Sequence, residues 1–126
     1  MALPVNARVQ AAQSFARDLR CAHEFLHQQD GNSADERYGL LLRQLNEARE
    51  HLRWNPAAAR PARFLQSHSA QGRVLAARAL ALAASQHTPQ LRELVVKPYV
   101  LLYAHSEDRV VLLALKHQRQ LEFRFG

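Results

Sequence analysis

The stretch LRELVVKPYVLLYAHSEDRVVLLALKHQRQLEFRF, residues 91–125, determines what kind of sheet this chain builds. Tyr99 to Ala104 and Val110 to Leu115 are nearly unbroken apolar runs rich in Val, Leu and Tyr, separated by the polar connection His105-Ser106-Glu107-Asp108. Runs of that length and composition, bounded by polar turns, predict neighbouring strands covered on at least one face. A third short run, Leu91 to Val96, is broken by Lys97-Pro98, because Pro fixes its own φ and brings no N–H to a ladder. The expectation is a three-stranded antiparallel meander over about residues 91–123. Lys116, His117 and Arg119 follow the last run directly and lead to Phe123 and Phe125, so a basic cluster is expected where the sheet ends.

Working outward, 126 residues that are 48% hydrophobic and 22% charged suit one globular domain with a modest core. The single cysteine, Cys21, excludes an intrachain disulfide and suits a reducing, cytoplasmic setting. No apolar run approaches the roughly 20 residues of a membrane span. The net charge of +6 is unevenly placed: residues 1–53 carry seven basic and seven acidic side chains, and residues 54–90 carry four Arg and no acid. Such a surface favours a polyanionic partner, either nucleic acid or an acidic protein segment, although basic side chains also serve simply to solvate a face.

Upstream of the meander the apolar spacing is helical. Leu3 to Val9 alternates weakly enough to predict a short edge strand interrupted by Pro4. Phe15, Leu19, Ala22 and Leu26 place an amphipathic helix over 11–29, ended by Asp30-Gly31-Asn32. Ser33 with Glu36 reads as a capping box opening a second helix, striped by Tyr38, Leu41, Leu42, Leu45, Ala48 and Leu52 and stopped by Asn55-Pro56. The two helices form a hairpin over about 11–53. Residues 57–67 read as a loop, and Ser69 caps an alanine-rich third helix over about 69–86 before Thr88-Pro89. The fold class expected is therefore α+β, a helical hairpin plus an extra helix packed on a small antiparallel β-sheet within one domain, 1–126.

Two constellations carry possible chemistry. His23-Glu24-Phe25-Leu26-His27 fits H-E-x-x-H on a helix, where two imidazoles four residues apart share a face and a Glu can polarise metal-bound water. That spacing would suit a small zinc hydrolase, with Glu47 and His51 as candidates for a third ligand. The other reading places His23 at the edge of a core stripe, with no metal at all. The second constellation is Arg92, Lys97, Lys116, His117 and Arg119, with Arg124 nearby, in which Arg92 and Arg119 are expected to approach one another beside Phe123. Guanidinium groups grip phosphate or carboxylate bidentately, so this patch suits RNA, DNA or an acidic peptide. Strand-end cations that merely keep an edge soluble are the plainer alternative.

Leu91-Arg92-Glu93-Leu94, Tyr99 to Tyr103 and Val110 to Leu115 running into Lys116-His117-Gln118-Arg119-Gln120 resemble the ending of RelE/ParE superfamily toxins of type II toxin-antitoxin pairs. Ser14 to Leu19 with Glu24-Phe25-Leu26 resembles that superfamily's first helix, and the alanine-rich helix is extra relative to compact members. The resemblance implies a growth-arresting toxin, no cofactor, and a cognate antitoxin that folds onto the helical hairpin and sheet as it binds. Two targets are open. ParE-like members poison DNA gyrase, whereas RelE-like members cleave mRNA on the ribosome with Lys and Arg on the sheet and often a C-terminal Tyr or His. In a nuclease here, Arg92, His117 and Arg119 would carry the reaction, with His117 titrating near neutral pH. Val100 and Phe123 stand about where well-known nucleases place Arg and Tyr, which favours gyrase.

Overall fold

The computed structural model describes residues 6–66, 68–120 and Phe123. Its elements run β1 (Arg8–Ala11), α1 (Gln13–Gln29), α2 (Ala34–Trp54), β2 (Arg60–Pro61), a 3-10 turn (Arg63–Gln66), α3 (Ala70–Ser85), β3 (Gln90–Val96), β4 (Tyr99–His105) and β5 (Arg109–His117). The expected meander is β3-β4-β5, antiparallel throughout. It sits inside a five-stranded mixed sheet of order β1-β5-β4-β3-β2, because β1 joins the far side of β5 in parallel, Val9 opposite Val110. Residues 3–5 of the expected edge strand and Arg124 lie outside the described residues.

Both faces of the sheet are covered, which is why β4 is buried at every position and shows no alternation in sequence. On one face Phe15 of α1 and Leu41, Leu45, Ala48 and Leu52 of α2 pack against Val96, Tyr99, Leu101, Tyr103, Val110, Leu112 and Leu115. On the other, Ala79 and Ala83 of α3 pack against Leu91, Val100, Leu102, Ala104, Val111 and Leu113. A register shift at Leu102/Tyr103 leaves Leu113 without a Cα partner on β4 and turns Leu113 and Ala114 to the same side. No helix among the described residues is long and apolar enough to cross a membrane.

Side chains of α1 finish the sheet where β1 stops. β1 pairs with β5 only as far as Leu112. Beyond it, the Ser14 hydroxyl donates to the Leu113 carbonyl at 2.5 Å and the Asp18 carboxylate accepts the Leu115 N–H at 2.9 Å. Two residues four apart on one helix face thus occupy an edge that would otherwise expose ladder groups.

Three local expectations are corrected. Ser33 does not cap α2: its hydroxyl donates to Asp30 Oδ2 at 2.8 Å, and the nearer carboxylate takes it from the helix end. Residues 57–67 are more than a loop, since Arg60-Pro61 pairs with β3 at Glu93 and Arg92 and Arg63–Gln66 makes the 3-10 turn. Ser69 does cap α3, accepting the Gly72 N–H at 3.0 Å. The stop of α3 is His87, at φ 59°, ahead of Thr88-Pro89. The N–H groups of His87 and Thr88 return to the carbonyls of Ala84 and Ala83, the paired bonds of a left-handed helix terminus.

Candidate functional site

Alternation along β5 splits the basic cluster between the two faces of the sheet. His117 lies opposite Tyr99 on the α1–α2 side, their rings 5.5 Å apart and edge to face. A turn over 117–120 holds it: its N–H donates to Gln120 Oε1 at 2.8 Å, and the Gln118 N–H donates to the Pro98 carbonyl at 2.8 Å. The Arg119 N–H donates to His117 Nδ1 at 3.1 Å. That bond makes Nδ1 the acceptor and leaves the proton of the neutral ring on Nε2. Partial burial, then the positive charges of Arg119 and of Arg37 on α2, hold the imidazole below the ordinary histidine range.

Lys116 lies opposite Val100 and projects to the α3 side. Its Nζ donates to the Gln120 carbonyl at 3.1 Å and sits 5.3 Å from the centre of the Phe123 ring. Phe123 is buried and meets Phe64 edge to face at 6.1 Å, so it supports Lys116 and offers little surface of its own. Burial pulls the lysine below its ordinary range, the Glu93 carboxylate opposes that shift and Arg63 reinforces it. Lys97 stays exposed in the β3–β4 turn.

Arg92 is elsewhere. It pairs across β3–β4 with Tyr103, whereas His117 pairs with Tyr99 four residues along β4, a separation of about 13 Å at the usual strand rise. Its Nε donates to His105 Nε2 at 2.8 Å and its Nη1 to the Ala59 carbonyl at 2.9 Å. The expected approach of Arg92 to Arg119 is therefore not made; β3 presents Arg92 at the end of the sheet away from the β5 terminus. His105 completes this second site, and its Nδ1–H donates to the Ser106 carbonyl at 3.0 Å. Burial holds His105 below the ordinary histidine range.

Two side-chain groups were not anticipated from sequence. Glu93, 4% exposed, gathers Arg60 and Arg63, whose Nε atoms donate to the same Oε1 at 2.9 and 2.8 Å. An acid between Leu91 and Leu94 on a strand was its only signal. The other group extends the H-E-x-x-H reading. His23 and His27 do share a face of α1, but the carboxylate that meets them is Asp35 on the first turn of α2. Among the described residues the group of possible ligand atoms is His23, His27 and Asp35, and neither Glu47 nor His51 belongs to it.

With this geometry in hand, comparison with known proteins identifies the fold and the family. Residues 9–122 match the family described as the ParE toxin of the type II toxin-antitoxin system, parDE. No curated protein matches the sequence. Among solved structures, a chain of the chromosomal ParDE toxin-antitoxin system from P. aeruginosa superposes with a TM-score of 0.57 at 14% identity, covering 89% of this chain and 96% of that one. At that identity the likeness speaks for the fold alone, whereas the family match spans nearly the whole sequence. The chain belongs to the ParE toxin family of type II toxin-antitoxin systems.

Proposed function

We propose that this protein arrests growth by poisoning DNA gyrase and is neutralised by a cognate antitoxin. The observation that carries the choice of target is the dispersal of the three residues a nuclease would need. Arg92 is committed to His105 and Ala59 at one end of β3, while His117 closes β5 and Arg119 follows it at the other end of the meander. His117 is also poorly placed as a general base. Its Nδ1 lone pair is taken by the Arg119 N–H, and in the neutral ring Nε2 carries the proton. Gyrase poisoning asks for a recognition surface and no reacting group, which the exposed Arg119 and the half-exposed His117 can supply.

The antitoxin, in this reading, is an acidic amphipathic segment that lies along α3. The buried hairpin stripe, Leu41, Leu45, Ala48 and Leu52, is spent on the sheet; Phe25, Leu40 and Leu42 stay exposed on the hairpin, and α3 leaves Val74 and Leu80 about half exposed. An open groove of about 280 Å³ runs between α3 and Phe123, lined by Val74, Leu75 and Arg78. With Arg73 and Arg78 exposed and no acid in residues 54–90, a carboxylate-bearing helix or strand is the complementary partner. Pulse-labelling after induced expression tests the target: DNA synthesis should fall before protein synthesis, with arrest relieved by co-expressed antitoxin. Protein synthesis falling first would favour the ribosome-dependent nuclease instead.

A further inference from the structure

We propose that His23, His27 and Asp35 bind one zinc-class divalent transition-metal ion at the tip of the α1–α2 hairpin. His23 and His27 are one helical turn apart, and the first turn of α2 brings Asp35 to meet them. His23 Nε2, His27 Nε2 and Asp35 Oδ1 form a triangle with edges of 3.2, 3.3 and 3.1 Å.

Hydrogen bonding alone cannot satisfy that triangle. Each ring nitrogen carries at most one proton and the carboxylate carries none, so at most two protons serve three edges. Either two N–H groups are pressed together or two lone pairs face one another. A cation over the centre removes the conflict, because all three atoms can then turn lone pairs inward. An ion about 2.05 Å from each atom would sit slightly off their plane and subtend about 100° between ligands, close to the tetrahedral angle.

The donor set selects the metal. Two imidazoles and one carboxylate suit zinc and its neighbours, whereas magnesium and calcium ask for oxygen alone. The His23 ring is held for the purpose, stacked on Tyr38 at 4.0 Å and within 10° of parallel. His23, His27 and Asp35 side chains are 37%, 46% and 84% exposed, so the ion can enter from solvent and keeps a position open for water. Its effect on the fold would be to clip the end of α1 to the start of α2.

Titration of the untagged full-length protein with Zn²⁺ by calorimetry, with Mg²⁺ and Ca²⁺ as controls, tests the site. The expected result is one zinc per chain, no uptake of the controls, and an affinity lowered tenfold or more in both Asp35→Asn and His27→Gln, at least the loss that weaker outer perturbations of metal sites produce. Glu24→Gln should bind like the parent. Cobalt substitution adds a second readout, an intense visible spectrum of tetrahedral Co²⁺ that Asp35→Asn should lose. Absence of stoichiometric zinc would overturn the site, as would uptake unchanged in both ligand variants, which would assign it to others of the seven histidines. All three side chains are at least a third exposed, so the variants should fold, and circular dichroism checks that directly.

Discussion

Glu93 offers the sharpest test of how the segment before α3 is attached to the sheet. Its buried carboxylate receives Arg60 from β2 and Arg63 from the 3-10 turn on one oxygen, while the two guanidinium side chains remain 44% and 67% exposed. Either arginine alone can still neutralise the carboxylate, so Arg60→Ala and Arg63→Ala should each cost about 1 kcal/mol, as partly exposed charge-assisted bonds do. Removing both strands a buried charge, a change that costs about 3–5 kcal/mol. Lys116 is close enough to feel Glu93, which places the double variant near the lower end, about 3 kcal/mol. The double loss should thus exceed the sum of the single losses by about 1 kcal/mol or more, the signature of residues sharing one partner. Urea unfolding of the four proteins measures this through their midpoints at constant slope. Repeating the cycle on Glu93→Gln should abolish the excess, since no charge is then left to strand. Additive losses, or an excess that survives Glu93→Gln, would show that Arg60 and Arg63 do not share the Glu93 charge.

Other expectations follow from single contacts. Tyr103→Phe deletes a hydroxyl that donates to the Pro56 carbonyl at 2.7 Å in the core, and should cost about 1–2 kcal/mol by thermal unfolding. In the parent protein this phenol, pushed up to about 12 by burial, should ionise above the ordinary tyrosine range in an alkaline absorbance titration. His105 is neutral between the Arg92 guanidinium and the Ser106 carbonyl, and its depressed folded value means the unfolded chain takes up its proton first as pH falls. Its share of stability is therefore full above about pH 6.5 and is lost as pH falls through that value toward the folded one; His105→Gln should flatten the pH dependence of the urea midpoint over that window. His87→Gly should stabilise by about 0.5–1 kcal/mol in the same assay, because the residue holds φ 59° at the end of α3. Val74→Glu, on an exposed groove residue, should leave stability within about 0.5 kcal/mol while weakening antitoxin binding at least tenfold by calorimetry.

The parts of this fold legible in sequence are those whose signal is local. Apolar runs bounded by His105-Ser106-Glu107-Asp108 and Lys97-Pro98 mark β3 to β5, and stripes such as Leu41, Leu45, Ala48 and Leu52 mark the hairpin. Most of what is not legible depends on atoms far apart in the chain. The alternation ahead of Val9 marks an edge strand but neither its partner Val110 nor its parallel sense, and the two-residue β2 leaves no periodicity to detect. Ser33 and Glu36 have the spacing of a capping box, yet Asp30 is nearer to the hydroxyl and takes it. Lys116, His117 and Arg119 follow one another at the end of β5, but side-chain alternation sends Lys116 and His117 to opposite faces, and register puts Arg92 at the other end of β3. H-E-x-x-H marks His23 and His27, two members of a convergent group whose third, Asp35, belongs to the next helix and leaves no signal in that spacing.

The central claim, that the target is gyrase, is tested most directly with purified protein, DNA gyrase and relaxed plasmid. Inhibited supercoiling with accumulation of protein-linked linear DNA is expected, both weakened in Arg119→Ala. Gyrase that supercoils normally in excess of the protein, while ribosome-bound mRNA is cut in a parallel reaction, would contradict it.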